Sequence, residues 1–214
     1  MLDAEREGVA AASRRLADAG LVIGTAGNIS ARVEELVAVT PTGAVLEDLE
    51  ASDIAVVELD GTQVHGPRAP TSELELHLGI YRRYGAGAVV HTHAPMATAL
   101  ACVLDELPVI HYQMLLLGGS VRVAPYETFG STELAEATLD ALQDRTAALM
   151  ANHGAIVHGA NLDGAMDQTL LLEWACGVYW HASALGQPRI LDRDQQQGVV
   201  DRVVRTGYGR QPAR

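Results

Sequence analysis

The sequence predicts one α/β domain whose strands run largely antiparallel, and three observations carry that expectation. The chain has 214 residues, close to the range of about 100–200 residues that one domain commonly takes, with single cores growing to ~250. Stretches with apolar residues at helical spacing alternate with short apolar runs of strand character. The runs in the first third are joined by tight turn sequences, as antiparallel neighbours are. No repeat, low-complexity segment or interdomain linker breaks residues 1–214, which are read as a single domain with a polar, mobile tail from about 190.

The elements follow in order. Between Leu2 and Gly20, Val9, Leu16 and several alanines recur at helical spacing, and Gly20 supplies the stop. The segment GTAGNISAR, the run Leu36 to Thr40, the turn at Pro41 to Gly43 and the run Ile54 to Leu59 read as strands joined by turns. Ser72 to Tyr84 reads as a helix with Thr71 or Ser72 as N-cap, AVVHTHA as a buried strand end, and Pro95 to about Leu104 as a helix opened by proline. The apolar stretch after Leu107 ends in Gly118-Gly119 and a short VRVAP strand. A helix from Ser131, its own cap, to Leu142 follows, then the strand Ala148 to Met150, the tetrapeptide ANHG and the run AIVHG. Asn161 to Leu185 is a long helix carrying both tryptophans, closed by Gly186 and Pro188.

Composition excludes several function classes. There are 15 basic and 27 acidic residues, net −12, which argues against nucleic acid or an anionic membrane as the main partner. No stretch approaches ~18 uninterrupted apolar residues, so no membrane span is expected. All 15 basic residues are arginine. Schiff-base aldolases, pyridoxal enzymes, Walker-A NTPases and protein kinases all need a lysine amine, so an aldolase with this composition must use a metal. Cys102 and Cys176 lie in apolar, helical settings and are expected as small buried thiols. With an N-terminus charged from the third residue and no apolar core of a secretory signal, they imply a cytoplasmic protein whose start is mature sequence.

Two constellations carry chemistry. His91 and His93 flank Thr92 at a strand end, where positions i and i+2 project to the same face, the spacing of a bidentate metal clamp. His153 follows another short strand, and a third imidazole would complete a three-histidine site with one position left open, as in catalytic zinc. Glu73 falls in the first turn of a helix beside the hydroxyls of Thr71 and Ser72. Those hydroxyls, and the loops Gly24 to Asn28 and Thr40 to Gly43, share a small, hydroxylic, glycine-permitted character; with no lysine, they suggest a phosphate held by backbone amides and hydroxyls. Taken singly, each feature has an ordinary explanation, as a surface histidine pair, a first-turn carboxylate or a loop. Of the remaining histidines, His77 lies one helical turn after Glu73, within reach of a hydrogen bond to it, and reads first as half-buried packing; His65, His158 and His181 read as surface or structural, and His111 is placed to order Tyr112.

The motifs G-T-A-G-N-I-S, T-P-T-G, T-S-E-x-x-x-H, V-V-H-T-H-A, I-H-Y, A-P-Y-x-T-F-G and N-H-G, in this order from about Arg6 to about Gly186, resemble the class II aldolase/adducin family, most of all its L-fuculose-1-phosphate aldolases. The resemblance implies a three-layer α/β/α domain around a largely antiparallel sheet, a homotetramer with sites between subunits, and one Zn²⁺ per subunit. It implies His91, His93 and His153 as metal ligands, joined by Glu73 when substrate is absent, and Glu73 as the acid/base. Thr25, Gly27, Asn28, Thr42, Gly43, Thr71 and Ser72 would form the phosphate pocket. Tyr112 would donate a proton to the aldehyde oxygen from the adjacent subunit, and Tyr208 lies where the family has a mobile C-terminal tyrosine.

The implied reaction is reversible cleavage of a ketose 1-phosphate, such as L-fuculose 1-phosphate, into dihydroxyacetone phosphate and a short aldehyde such as L-lactaldehyde. Alternatives within the resemblance are a pentulose-phosphate aldolase, a methylthioribulose-phosphate dehydratase, a sugar-phosphate 4-epimerase and a non-catalytic adducin-like module. Such epimerases carry an aspartate near His111-Tyr112, which favours the aldolase, and a scaffold module would have lost the ligand histidines. T-S-E stands where the nearest relatives have a serine pair, and the bulky M-L-L-L run after Gln113 bears on the choice of aldehyde.

Overall fold

The computed structural model describes residues 1–207. Its elements are α1 (Asp3–Asp18), β1 (Asn28–Val33), β2 (Leu36–Val39), β3 (Ala55–Glu58), β4 (Gln63–His65), α2 (Leu74–Tyr84), β5 (Ala88–Thr92), α3 (Pro95–Ala101), β6 (Glu106–Leu107), β7 (Val121–Ala124), α4 (Thr132–Ala141), β8 (Ala147–Met150), β9 (Gly154–Gly159), α5 (Leu162–Leu185) and α6 (Arg193–Thr206). Short 3-10 segments cover Leu46–Asp48 and Tyr112–Leu117. The described strands form one sheet in the order β4-β3-β2-β1-β5-β9-β8-β7-β6. Every neighbouring pair is antiparallel except β7 and β8. The expected mixed α/β domain with a mostly antiparallel sheet is therefore present.

The strand period of two sorts side chains into two cores. Ala147 and Leu149 of β8 and Ala155 and Val157 of β9 join α1, α3 and α5 in one core. Ala148, Met150 and Ile156 face the other way and pack with Leu76, Leu78, Ile80 and Tyr81 of α2 and Leu134 and Ala135 of α4. On β5, Val90 belongs to the first core and Val89 to the second, so His91 falls on the side of α2 by alternation.

Local differences from the sequence reading have physical causes. No side-chain hydrogen bond caps α2, and the N-cap position is Glu73 rather than Thr71 or Ser72. Cys176 is buried as expected, but Cys102 is exposed, because α3 ends at Ala101 and carries it past the helix. The stretch from about 190 contains α6, opened by a capping box in which Asp192 and Gln195 exchange hydrogen bonds. The D-x-x-Q spacing was the signal for that helix. The three-residue edge strand β4, exposed along its length, has no apolar alternation to reveal it. Met114 and Leu117 of the M-L-L-L run are buried, so much of that bulk fills the core. Tyr208 lies outside the described residues. Among them, no helix is long and apolar enough to cross a membrane.

Candidate metal centre

His91 is the next-to-last residue of the interior strand β5, paired with Asn28 of β1 on one side and Ile156 of β9 on the other. His153 sits in the three-residue turn between β8 and β9, closed by the Met150–Gly154 pair. Asn152 supplies the left-handed residue of that turn, φ 55°, a conformation asparagine adopts more readily than most residues. Gly154 must lack a side chain, since a Cβ there would lie 2.3 Å from the Thr92 carbonyl oxygen of β5. The N-H-G tripeptide thus presses the turn against the end of β5.

That approach gathers His91, His93 and His153, whose ring centroids lie 4.9 to 5.0 Å apart in edge-on pairs. One ligand nitrogen from each lies within 4.8 Å of the others, and Nε2 of His91 is 3.1 Å from Nε2 of His93. Zinc–nitrogen bonds of 2.0–2.1 Å in a tetrahedron put nitrogens about 3.3 Å apart, so this spacing suits the metal. Nδ1 of His91 donates to the Ala155 carbonyl oxygen at 2.9 Å, which puts one ring proton on Nδ1 and turns Nε2 toward the other rings and Glu73. Glu73 completes the cluster, with Oε2 3.2 Å from His91 Nε2 and Oε1 3.4 Å from His153 Nε2. Its Oε1 is buried and has no hydrogen-bond partner among the described residues. Bare ring nitrogens facing an orphaned carboxylate oxygen are a donor set that a divalent cation satisfies.

Electrostatics agree. Burial pushes the Glu73 carboxyl up, but His91, hydrogen bonds from His91 and Asn28, and His153 together hold it well below the usual carboxylate range. Burial pushes His91 down, yet the Glu73 charge and the Ala155 carbonyl leave it raised. His93 falls to about 4, through burial first and then its two histidine neighbours. His153 is also lowered, by burial and by His91. Two imidazoles therefore offer bare nitrogens at neutral pH, and at His91 a proton or a cation balances Glu73.

A cavity of about 310 Å³ opens over this cluster. Thr25, Gly27, Asn28, Thr42, Gly43, Thr71 and Ser72 all line it, together with Glu73, His93 and His153. The loops meet through backbone pairing: Pro41 bridges Pro70, the Thr42 N–H donates to the Ala69 carbonyl oxygen and the Thr71 N–H to that of Thr40. Thr71 Oγ1 accepts from the Glu73 N–H at 3.2 Å. The amide of Asn28 is mostly engaged, Nδ2 donating to Glu73 Oε2 at 2.8 Å and Oδ1 accepting from His77 at 2.5 Å. One amide N–H remains to it.

The chain does not bring every expected residue here. Tyr112 is partly exposed and lines a different groove, with His111 and residues of α6 such as Gln195 and Arg202. His111 lies beside it, ring centroids 4.6 Å apart, as the sequence suggested. Residues given no role in the sequence reading also line the cavity: Tyr126, Glu127, Phe129 and Asn152. The first three belong to the A-P-Y-x-T-F-G motif, so the signal was present without an assignment. His77 is not half-buried packing: it is fully buried and hydrogen-bonded through both ring nitrogens.

Residues 7–180 match the family described as Class II Aldolase and Adducin N-terminal domain. The chain is 37% identical over 214 residues to 5-deoxy-D-ribulose 1-phosphate aldolase of Bacillus thuringiensis serovar kurstaki, covering 99% of this chain and 100% of that one. It is 38% identical over 199 residues to 5-methylthioribulose-1-phosphate/5-deoxyribulose-1-phosphate aldolase of Rhodospirillum rubrum, covering 92% and 90%. Among solved structures, an L-fuculose 1-phosphate aldolase superposes with TM-score 0.89 at 32% identity, covering 94% of this chain and 96% of that one.

Proposed function

The chain belongs to the class II aldolase and adducin N-terminal domain family, and on that premise we propose that it is a metal-dependent aldolase, cleaving a ketose 1-phosphate reversibly into dihydroxyacetone phosphate and a short aldehyde. The observation that carries the proposal is the meeting of His91, His93, His153 and Glu73, of which His93, His153 and Glu73 line a cavity walled by three hydroxylic loops. When bound, one divalent ion such as Zn²⁺ per subunit, held by the three histidines, supplies Lewis acidity to the substrate's ketone oxygen. Thr25, Gly27, Asn28, Thr42, Gly43, Thr71 and Ser72 hold the phosphate.

In the cleavage direction a tyrosine present as the phenolate takes the proton of the hydroxyl beyond the breaking bond, that carbon departs as the aldehyde, and Glu73 enters as the carboxylic acid, the states in which condensation leaves both. Glu73 then returns a proton to the hydroxymethyl carbon of the three-carbon fragment. In condensation Glu73 removes that proton first. Tyr112 is the tyrosine, acting across a subunit boundary in a homotetramer. Two features support this: Tyr112 stands outside its own chain's cavity, and Trp174 and Trp180 of α5 are 45% and 48% exposed, an apolar face suited to a second copy. A cytoplasmic location accords with this chemistry.

The substrate is either L-fuculose 1-phosphate, yielding L-lactaldehyde, or a 5-deoxypentulose 1-phosphate like those named for the two relatives. Cleavage of the latter between C3 and C4 yields the same phosphate fragment and a two-carbon aldehyde. In heavy water, metal-replete protein should place one deuterium stereospecifically on the hydroxymethyl carbon of dihydroxyacetone phosphate without added aldehyde, and a panel of short aldehydes then ranks the partners. A dehydratase has no need of that exchange, and an epimerase, whose phosphate belongs to the other fragment, gives little. Absent exchange would defeat the aldolase reading.

A further inference from the structure

Behind Glu73 the protein buries an unbroken run of side-chain hydrogen bonds. Tyr81 Oη lies 2.6 Å from Ser30 Oγ, Ser30 Oγ 2.7 Å from His77 Nδ1, His77 Nε2 2.5 Å from Asn28 Oδ1, and Asn28 Nδ2 2.8 Å from Glu73 Oε2. Ser30 and His77 are 0% exposed, Tyr81 1%, Asn28 5% and Glu73 7%. The run follows from two periodicities. Glu73, His77 and Tyr81 stand at i, i+4 and i+8 along α2, while Asn28 and Ser30 stand at i and i+2 on β1. Five polar groups are thereby set into an otherwise apolar helix–sheet contact, where a polar group left without a partner is costly.

The carboxylate at one end dictates the direction of every bond. Oε2 of Glu73 only accepts, so Asn28 must turn its amide nitrogen toward it. The Asn28 oxygen then faces His77, and because a carbonyl oxygen only accepts, the ring proton of His77 must sit on Nε2. Among the described residues the two ring nitrogens meet an amide oxygen and a hydroxyl and no carboxylate, so nothing balances a charge on this fully buried ring; it is neutral, and Nδ1 accepts from the Ser30 hydroxyl. Ser30 in turn accepts from Tyr81. Reversing any one member would set two donors or two acceptors face to face.

We propose that His77, supported by Ser30 and Tyr81, is a positioning residue that fixes the orientation of Glu73 by locking the Asn28 amide. None of the three touches the cavity, so none is a catalytic residue. This inference rests on the reading of Glu73 as the acid/base. It adds that the aim of that carboxylate is set from a buried histidine on the same helix, through the neighbouring strand.

Two measurements test it, one independent of activity. Nitrogen-15 NMR of the histidine-labelled protein should find His77 in the Nε2–H tautomer with Nδ1 bare; an Nδ1–H tautomer would overturn the assignment. The second compares His77→Gln, whose terminal amide can still donate to Asn28, with His77→Asn, which stops short of it. His77→Asn should lower kcat for deuterium exchange about 10–100-fold, as loss of an outer hydrogen-bond partner does at metal sites, with KM changed less than about threefold and one metal retained per chain. His77→Gln should recover to within about fivefold of wild type. Equal losses in both variants, or losses that merely follow the fall in Tm, would show that His77 only packs. If wild type exchanges no deuterium, the functional reading fails, and the tautomer still decides whether the buried run has the stated direction.

Discussion

Glu73→Gln separates catalysis from folding more sharply than any other single change. The substitution keeps the side-chain length and the hydrogen bond from Asn28 Nδ2, now 2.8 Å from a carboxylate oxygen, but removes the charge. A hydrogen bond to a charged group contributes roughly 1.5–3 kcal/mol and one to a neutral group about 1, so the folded state loses about 1 kcal/mol on that count. Part of this is returned, because the carboxylate is only 7% exposed and a buried charge is itself costly. Net stability should move by no more than about 1 kcal/mol. The general base, by contrast, contributes about 10²–10⁴ in rate, which at 1.36 kcal/mol per tenfold is roughly 2.7–5.4 kcal/mol of barrier. Urea unfolding and metal analysis should therefore find a folded protein holding its metal on His91, His93 and His153, while proton NMR in heavy water finds exchange into dihydroxyacetone phosphate lower by about 10²–10⁴-fold. Exchange within tenfold of wild type in the metal-loaded variant would refute Glu73 as the acid/base. An unfolded variant would refute the stability arithmetic.

Three further outcomes are expected. His153→Ala should lose metal and turnover together, both absent from metal analysis and assay at stoichiometric Zn²⁺; full turnover in a metal-free preparation would contradict the metal reading. Metal-free protein should weaken in acid, because fully buried His77 is pushed down to about 3, by burial first and then by His91. Between pH 6.5 and that value the unfolded chain binds a proton there that the folded chain refuses, so the stability is fully present above pH 6.5 and falls by about 1.4 kcal/mol per pH unit within the window. Lowered His93 and His153 act in the same sense, while raised His91, protonated in both states below pH 6.5, changes stability only above that pH; urea midpoints that stay flat from pH 6.5 to 4.5 would be inconsistent with this sum. Gly154→Ala should push β9 from the Thr92 carbonyl, costing about 1–3 kcal/mol or more and loosening the metal cluster. Gly198→Ala, in α6 with nothing within 4 Å of the added carbon, should be neutral or stabilising by about 0.5–1 kcal/mol. Thermal melts of the two variants decide the comparison.

Much of the site was legible because its signals are local. H-T-H at the end of an apolar run needs only the strand period to place two imidazoles on one face, and N-H-G announces a turn at which a histidine projects. Helices with strong periodicity or clear punctuation, such as Asp3–Asp18 and Leu162–Leu185, fall close to their expected bounds. What escaped was weak or tertiary. Strand β4 is three exposed residues without alternation, and the cap expected at Thr71 or Ser72 is absent because Glu73, the N-cap residue, is drawn instead to Asn28, His91 and His153.

By itself, then, the sequence determined the residue types and their local geometry: which imidazoles share a face, which loops carry hydroxyls, and that an aldolase without a lysine must use a metal. Tertiary structure alone decided how they meet. His153 is brought to His91 across the β5–β9 register, in which Thr92 faces Ala155, and pairing of residues 40–42 with 69–71 draws two of the cavity loops together. His77 was ambiguous for the same reason. Its helical spacing from Glu73 suggested a direct contact or plain packing, but a helix laid on β1 places Asn28 and Ser30 between and beside the two, so the partners of its ring come from a strand some 50 residues away in the chain. Periodicity is a property of neighbours along the chain, whereas register between strands and the docking of a helix on a sheet are set by the burial of the whole apolar face at once.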